Sequence, residues 1–365
     1  MPQYIPPPWE VLIINMMDRV SKISTFLCAL QSTCTPVSTK PNTGAGQLAS
    51  THYQYPWTGD SILPVIDENF PDPAIIQVND SWYAFSTNND NLHIPFATST
   101  DFGNWNLTEI DALPTLPKWA MNKGIWAPDV VQLDDGSFVM YYCANMYSNP
   151  RKHCVGAAMS LNIQGPYIPR EDVFACPLDQ GGAIDPAGFQ DTDGQRYVVY
   201  KVDGNSNGHG GVCGNTVPPI QPTPIMLQAV EADGITPQGD PVEILDRIDA
   251  DGPLIEAPDL IKTSDGKYVL SYSSNCFTTP NYDVNYAVAD QITGPYTRAE
   301  IPLLKTGFYP DLIGPGGAAI NPDGTKMAFH GILDKHGPDP RGLRRGLYTA
   351  NISILGGIIE ILNIF

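Results

Sequence analysis

Phe70-Pro71-Asp72-Pro73-Ala74-Ile75-Ile76 sets a proline at the mouth of an apolar, strand-like run and a carboxylate just ahead of it. The design returns in Trp126-Ala127-Pro128-Asp129-Val130-Val131 and in Ile184-Asp185-Pro186-Ala187-Gly188-Phe189. It returns again in Ile255-Glu256-Ala257-Pro258-Asp259-Leu260-Ile261 and Ile313-Gly314-Pro315-Gly316-Gly317-Ala318-Ala319. Aligned on Pro73, Pro128, Pro186, Pro258 and Pro315, the repeats lie 55, 58, 72 and 57 residues apart. That length exceeds a hairpin and suits a four-stranded propeller blade with its loops.

Each repeat continues into a turn and a second, aromatic-rich strand. Asp135-Gly136, Asp193-Gly194, Asp265-Gly266 and Asp323-Gly324 stand before four of these strands, and Asn79-Asp80 before the first. Asp-Gly between β-rich runs marks a hairpin, because glycine accepts a positive φ without steric cost. Gly165-Pro166-Tyr167 and Gly294-Pro295-Tyr296 repeat a later turn. Helical periodicity is almost absent. Short strands at even spacing also occur in β-sandwiches. Spacing, motif order and length together favour an all-β, five-bladed propeller over residues 56–365 as a single domain. Residues 1–55 read as a leader or tether.

Composition narrows the function. A formal charge of −19, from 39 acidic against 20 basic residues, argues against nucleic acid or an anionic membrane as partner. No apolar stretch reaches the roughly 18 residues of a membrane span. The expected partner is a neutral or cationic ligand and the expected state a monomer. Seven cysteines carry no zinc-like spacing. Cys143 with Cys154, and Cys176 with Cys213, are candidate disulfides. Sequons at Asn79, Asn106 and Asn351 add to the expectation of an extracellular, secreted protein.

The proline register puts Asp72 and Asp185 at one axial position, and Glu256 one residue before it. Three carboxylates from three blades would converge on the axis and push one another's pKa values apart. Glycosidic hydrolysis needs such a split, with one protonated acid and one ionised base. Asp before Pro is also a common turn residue, but three in one register are harder to explain that way. Asp129 and Asp259, one step past the proline, point the other way by strand alternation and read as structural. Trp126 is either a stacking platform for a sugar or a core residue.

These motifs, Phe-Pro-Asp72-Pro, Trp126-Ala-Pro-Asp129, Ala-Ile-Asp185-Pro, Glu256-Ala-Pro-Asp259 and Gly-Pro-Tyr, resemble glycoside hydrolase family 43 over residues 60–350. The resemblance implies an inverting enzyme releasing α-L-arabinofuranosyl or β-D-xylosyl units from plant cell-wall polysaccharide such as arabinoxylan. It implies Asp72 as general base, Glu256 as general acid and Asp185 as tuner of the acid's pKa. It also implies a substrate-facing arginine, Arg344 or Arg345, the latter preferred. No cofactor is required, though His330 would lie near the axis where a structural Ca2+ is expected. Phe70-Pro71 departs from the His-Asp-Pro entrance usual in arabinan-cleaving members. Endo-1,5-α-L-arabinanase activity is the alternative, and a non-catalytic carbohydrate-binding propeller the reading from another class. The insertion between Val202 and Met226 is either a wall of the pocket or a surface excursion.

Overall fold

The computed structural model describes residues 61–334 and 342–365; the expected leader over 1–55, with Cys28 and Cys34, lies outside the described residues. Five antiparallel sheets follow one another along the chain, each a meander of strands in sequence order. Their innermost strands are Ala74–Val78, Trp126–Gln132, Ala183–Gln190, Ile255–Lys262 and Gly316–Ile320, which we number as blades 1 to 5. Each innermost strand touches those of its two neighbours in the cyclic order 1-2-3-4-5-1. Residues from all five line one narrow axial channel of about 50 Å³. The fold is a five-bladed β-propeller.

Packing explains why the ring holds. Among the described residues, buried apolar side chains gather into six clusters in the five wedges between adjacent blades, two of them between blades 2 and 3. Phe85, Phe96, Met140 and Tyr142 fill the wedge between blades 1 and 2, and Tyr141, Val139 and Val198 the next. Val199, Leu227 and Leu270 fill the third wedge, and Val269, Met327 and Phe329 the fourth. Ile75, Trp82, Ala84 and Leu347 fill the fifth. At about 1.5–3 kcal/mol per large side chain taken from water, these wedges are the main stabilising term. The segment entering blade 1 closes the circle. Val65 N–H donates to Leu347 O (2.8 Å) and Phe70 N–H to Arg345 O (2.7 Å), which clips the segment before blade 1 onto blade 5.

The turns follow the sequence. Gly136, Gly194, Gly266 and Gly324 all have positive φ, and Asn79 (φ 54°) takes that place in blade 1. In the first residues of the innermost strands, or just ahead of the strand in blade 1, another left-handed residue recurs: Asp72, Ala127, Asp185, Ala257 and Gly317, with φ between 43° and 56°. Strand register shifts at this point in blades 2 to 5. Such bulges re-aim a side chain, here toward one end of the axis. The proline register holds in blades 1 to 4 but not in blade 5. There Gly316 pairs with His330 and Ala319 with Ala328, so Ala318 stands where the others carry proline. Pro315 lies in the preceding loop. The misleading signal is physical: Gly314 also has positive φ (51°) ahead of a proline, two residues before the strand begins.

Neither expected disulfide forms. The pairs are Cys154–Cys176 and Cys213–Cys276, with Cys143 free and buried. Cys143 pairs across the ladder with Val155, and Cys154 with Ala144. Alternation therefore sends Cys143 and Cys154 to opposite faces of the blade. Cys154 instead meets the loop that returns past it, where Val155 bridges Ala175. Cys213–Cys276 spans 63 residues and ties the long insertion of blade 3 to the loop after the second strand of blade 4. Loop-closure entropy assigns a bond of that span about 4 kcal/mol. Calorimetry of a Cys213→Ser/Cys276→Ser variant should show a lower melting temperature. An unchanged value would contradict the role given to this bond.

Candidate active site

A ring of backbone N–H groups surrounds the axis, and each finds its acceptor on the preceding blade. Ala127 N–H donates to Thr87 Oγ1 (2.9 Å), and Asp185 N–H faces the Cys143 sulfur. Ala257 N–H donates to Asp185 Oδ2 (2.9 Å), Gly317 N–H to Ser273 Oγ (2.9 Å), and Asp72 N–H to His330 Nδ1 (3.1 Å). A second set lies deeper along the channel. There Asp129 Oδ2 accepts Gly188 N–H (2.7 Å) and Asp259 Oδ2 accepts Ile320 N–H (2.5 Å). These two aspartates have the structural role the sequence implies. Burial, their dominant influence, raises Asp129 to about 6 and Asp259 to about 8.

At one end of the channel a cleft of about 290 Å³ opens, and Asp72, Asp185 and Glu256 all line it. The far end holds a larger depression of about 480 Å³, but it lacks these three carboxylates. The three sit in different environments. Asp72 Oδ1 accepts from Arg345 Nη1 (3.0 Å) and Oδ2 from the Thr87 hydroxyl (2.7 Å). Burial pushes its pKa up, but the Arg345 charge, His330 and these donors outweigh it and leave Asp72 below the usual carboxylate range. Asp185 is driven well above that range by burial and by the charge of Glu256. Its proton is therefore held to higher pH than that of an ordinary carboxyl. Glu256 is nearly buried, at 8% exposure. Its Oε1 accepts from the Tyr282 hydroxyl (2.9 Å) and its Oε2 from Lys201 Nζ (3.0 Å).

The remaining expected residues fall as follows. Trp126 lines the cleft and stacks on His153 with ring centroids 3.8 Å apart, while also packing on the buried residues beneath. Arg345 lies against Asp72, with its guanidinium over Phe277; Arg344 turns away to Asp334. Asp203, Asn205 and Cys213 line the cleft, so the insertion of blade 3 is a wall of it. His330 is buried beside Asp72 and stacks on Tyr282. Burial and the Arg345 charge lower its pKa to about 3, so the ring is neutral. Its Nδ1 accepts the Asp72 N–H and lies 3.3 Å from Asp72 Oδ1, while Nε2 has no partner among the described residues. Among the described residues no group of three His, Cys, Asp or Glu is placed to hold a metal. The sequence reading missed Thr87, Lys201, Asp203 and Tyr282.

The profile described as glycosyl hydrolases family 43 matches residues 63–347. The chain belongs to glycosyl hydrolase family 43. This family-43 chain is 28% identical over 291 residues to an extracellular endo-alpha-(1->5)-L-arabinanase 2 of Bacillus subtilis (strain 168), covering 70% of the chain and 55% of that protein. It is 26% identical over 310 residues to a xylan 1,3-beta-xylosidase of a Vibrio species, covering 80% and 53%. The chain thus spans a little over half the length of these relatives. A thermostable family-43 glycoside hydrolase has the same fold, with TM-score 0.68 at 24% identity over 81% of this chain and 93% of that one.

Replacing Arg345 with Met removes the cation that keeps Asp72 ionised. A carboxylate that loses its cation holds its proton to higher pH. Followed by NMR, the Asp72 carboxyl should then titrate higher by roughly one pH unit or more. An unmoved titration would dissociate Arg345 from Asp72.

Proposed function

We propose that the chain is an inverting glycoside hydrolase acting on arabinofuranosyl linkages of plant cell-wall polysaccharide. The observation that carries this is the unequal setting of Asp72 and Glu256 within one cleft. Asp72 is held ionised by Arg345 and Thr87, as a base must be, and Glu256 approaches from another blade as the acid. In the reaction Glu256 gives its proton to the glycosidic oxygen as the bond to the anomeric carbon breaks. A water attacks that carbon from the opposite face and passes its proton to Asp72. Asp185, protonated and bound to Ala257 N–H, limits repulsion of the Glu256 carboxylate that forms. Trp126 supplies a flat apolar face for a sugar ring.

The arabinanase relative supports arabinan as the first substrate class. β-Xylosides are the second reading, and the Vibrio xylosidase favours them. Two disulfides and the extracellular relative support secretion. A binding propeller without chemistry has no use for a carboxylate kept ionised beside one kept protonated.

Glu256→Gln and Asp72→Asn should each lower turnover of arabinan, arabinoxylan or aryl pentosides by about a hundredfold or more, with circular dichroism unchanged. Proton NMR should show the inverted anomer as the first product. Wild-type-like turnover in either variant, or a retained anomer, would overturn the assignment.

A further inference from the structure

Among the described residues, Lys201 is the one fully buried lysine beside the cleft carboxylates. It occupies a position that the other blades use for another purpose. On the second strand of each blade, or two residues past its end in blade 1, one residue pairs with the residue just before the left-handed axial position. These are Thr87 by its N–H to Pro71 O, Cys143 opposite Trp126, Lys201 opposite Ile184, Ser273 opposite Glu256 and His330 opposite Gly316. In four blades that side chain accepts the N–H of the next blade and helps to close the ring. A lysine ammonium has three donors and no acceptor. At this junction Asp185 takes over as acceptor for Ala257 N–H. Lys201 is left free to turn its ammonium onto Glu256 Oε2 (3.0 Å) and Asp203 Oδ1 (3.2 Å).

We propose that Lys201, balanced by Asp203, is the positioning residue of the acid Glu256: it fixes the carboxylate's place and sets the pH at which it can deliver its proton. This rests on the hydrolase reading above. Both oxygens of Glu256 accept from fixed donors, Tyr282 and Lys201, so the carboxyl has one place to stand. As its proton passes to the leaving oxygen, negative charge grows beside a cation already in position. The groups facing Glu256 are Lys201, Asp203 and Asp185 from blade 3 and Tyr282 from its own blade, with Asp72 of blade 1 close to Asp185 and Tyr282. Burial pulls the Lys201 ammonium's pKa down, yet the charges of Glu256, Asp203 and Asp185 outweigh it. It stays charged throughout the working range. Asp203 draws on the same cation and weakens its hold on Glu256.

The test is the alkaline limb of the kcat/KM profile, which reports loss of the proton from the acid. It is measured with arabinan and with an aryl arabinofuranoside whose phenol leaves without help. In Lys201→Met the limb should move up by roughly one to three pH units. Turnover of arabinan should fall about tenfold or more, with a smaller loss on the aryl substrate. In Asp203→Asn the limb should move down, because the ammonium is then undivided. Lys201→Arg should return the limb toward the wild-type position. Equal losses on both substrates with unmoved limbs would make Lys201 merely structural and overturn the inference. Should Lys201→Met fail to fold, Asp203→Asn decides alone: a downward shift supports the inference and an unmoved limb overturns it. A wild-type protein inactive on both substrates, or a Glu256→Gln variant as active as wild type, would instead sink the hydrolase reading.

Discussion

A strand lying against the axis of a propeller has an N–H that its own blade cannot satisfy, because the bulge at the left-handed residue takes it out of register. A buried backbone donor without a partner costs about 1–3 kcal/mol, so each blade must supply an acceptor to the next. In this chain Thr87, Cys143, Asp185, Ser273 and His330 fill that role. The same left-handed bend that creates the demand also turns Asp72 and Asp185 toward the cleft. Aspartate tolerates that bend better than most residues; alanine at 127 and 257 bears a cost of roughly 1–2 kcal/mol. At Gly317 a side chain would meet the His330 ring at 2.9 Å. Closure of the ring and placement of the carboxylates are thus one constraint.

Several side chains serve both ends at once. The Thr87 hydroxyl accepts the N–H of blade 2 and donates to Asp72. Asp185 accepts the N–H of blade 4 while burial keeps it protonated next to Glu256. The clip from Phe70 to Arg345 closes blade 5 on blade 1 and brings the guanidinium against Asp72. Electrostatic separation of the carboxylates follows from which blade each one faces. Asp72 looks toward the Arg345 cation at the closure, and Glu256 toward Lys201 of blade 3.

The repeat makes most of this legible in the sequence. Proline at a strand mouth is a local signal, and it located four of the five innermost strands and all three carboxylates. It failed in blade 5 because Gly314-Pro315 adopts the same backbone bend in a loop, where only pairing with the second strand tells the two apart. Asp-Gly turns were equally readable, since their conformation depends on two residues alone. The disulfides were not: Cys154 and Cys213 find partners through the paths of long loops, which no spacing encodes. Lys201 was hidden in Tyr197-Val-Val-Tyr200-Lys201-Val202, where a lysine at the end of a strand looks like a solvated residue. Its meaning lies in Glu256, 55 residues away, and in the repeat of second-strand positions, which the first-strand prolines do not report.

The central claim is that this ring holds an ionised base and an acid on opposite sides of a sugar, with a water between base and anomeric carbon. A crystal structure of the Glu256→Gln variant with a bound arabino-oligosaccharide tests it most directly. The account predicts a separation of about 6.5–9.5 Å between the Asp72 carboxylate and the side chain at position 256, with a water seated against Asp72. A separation of about 5 Å, with Asp72 against the anomeric carbon and no room for water, would contradict it.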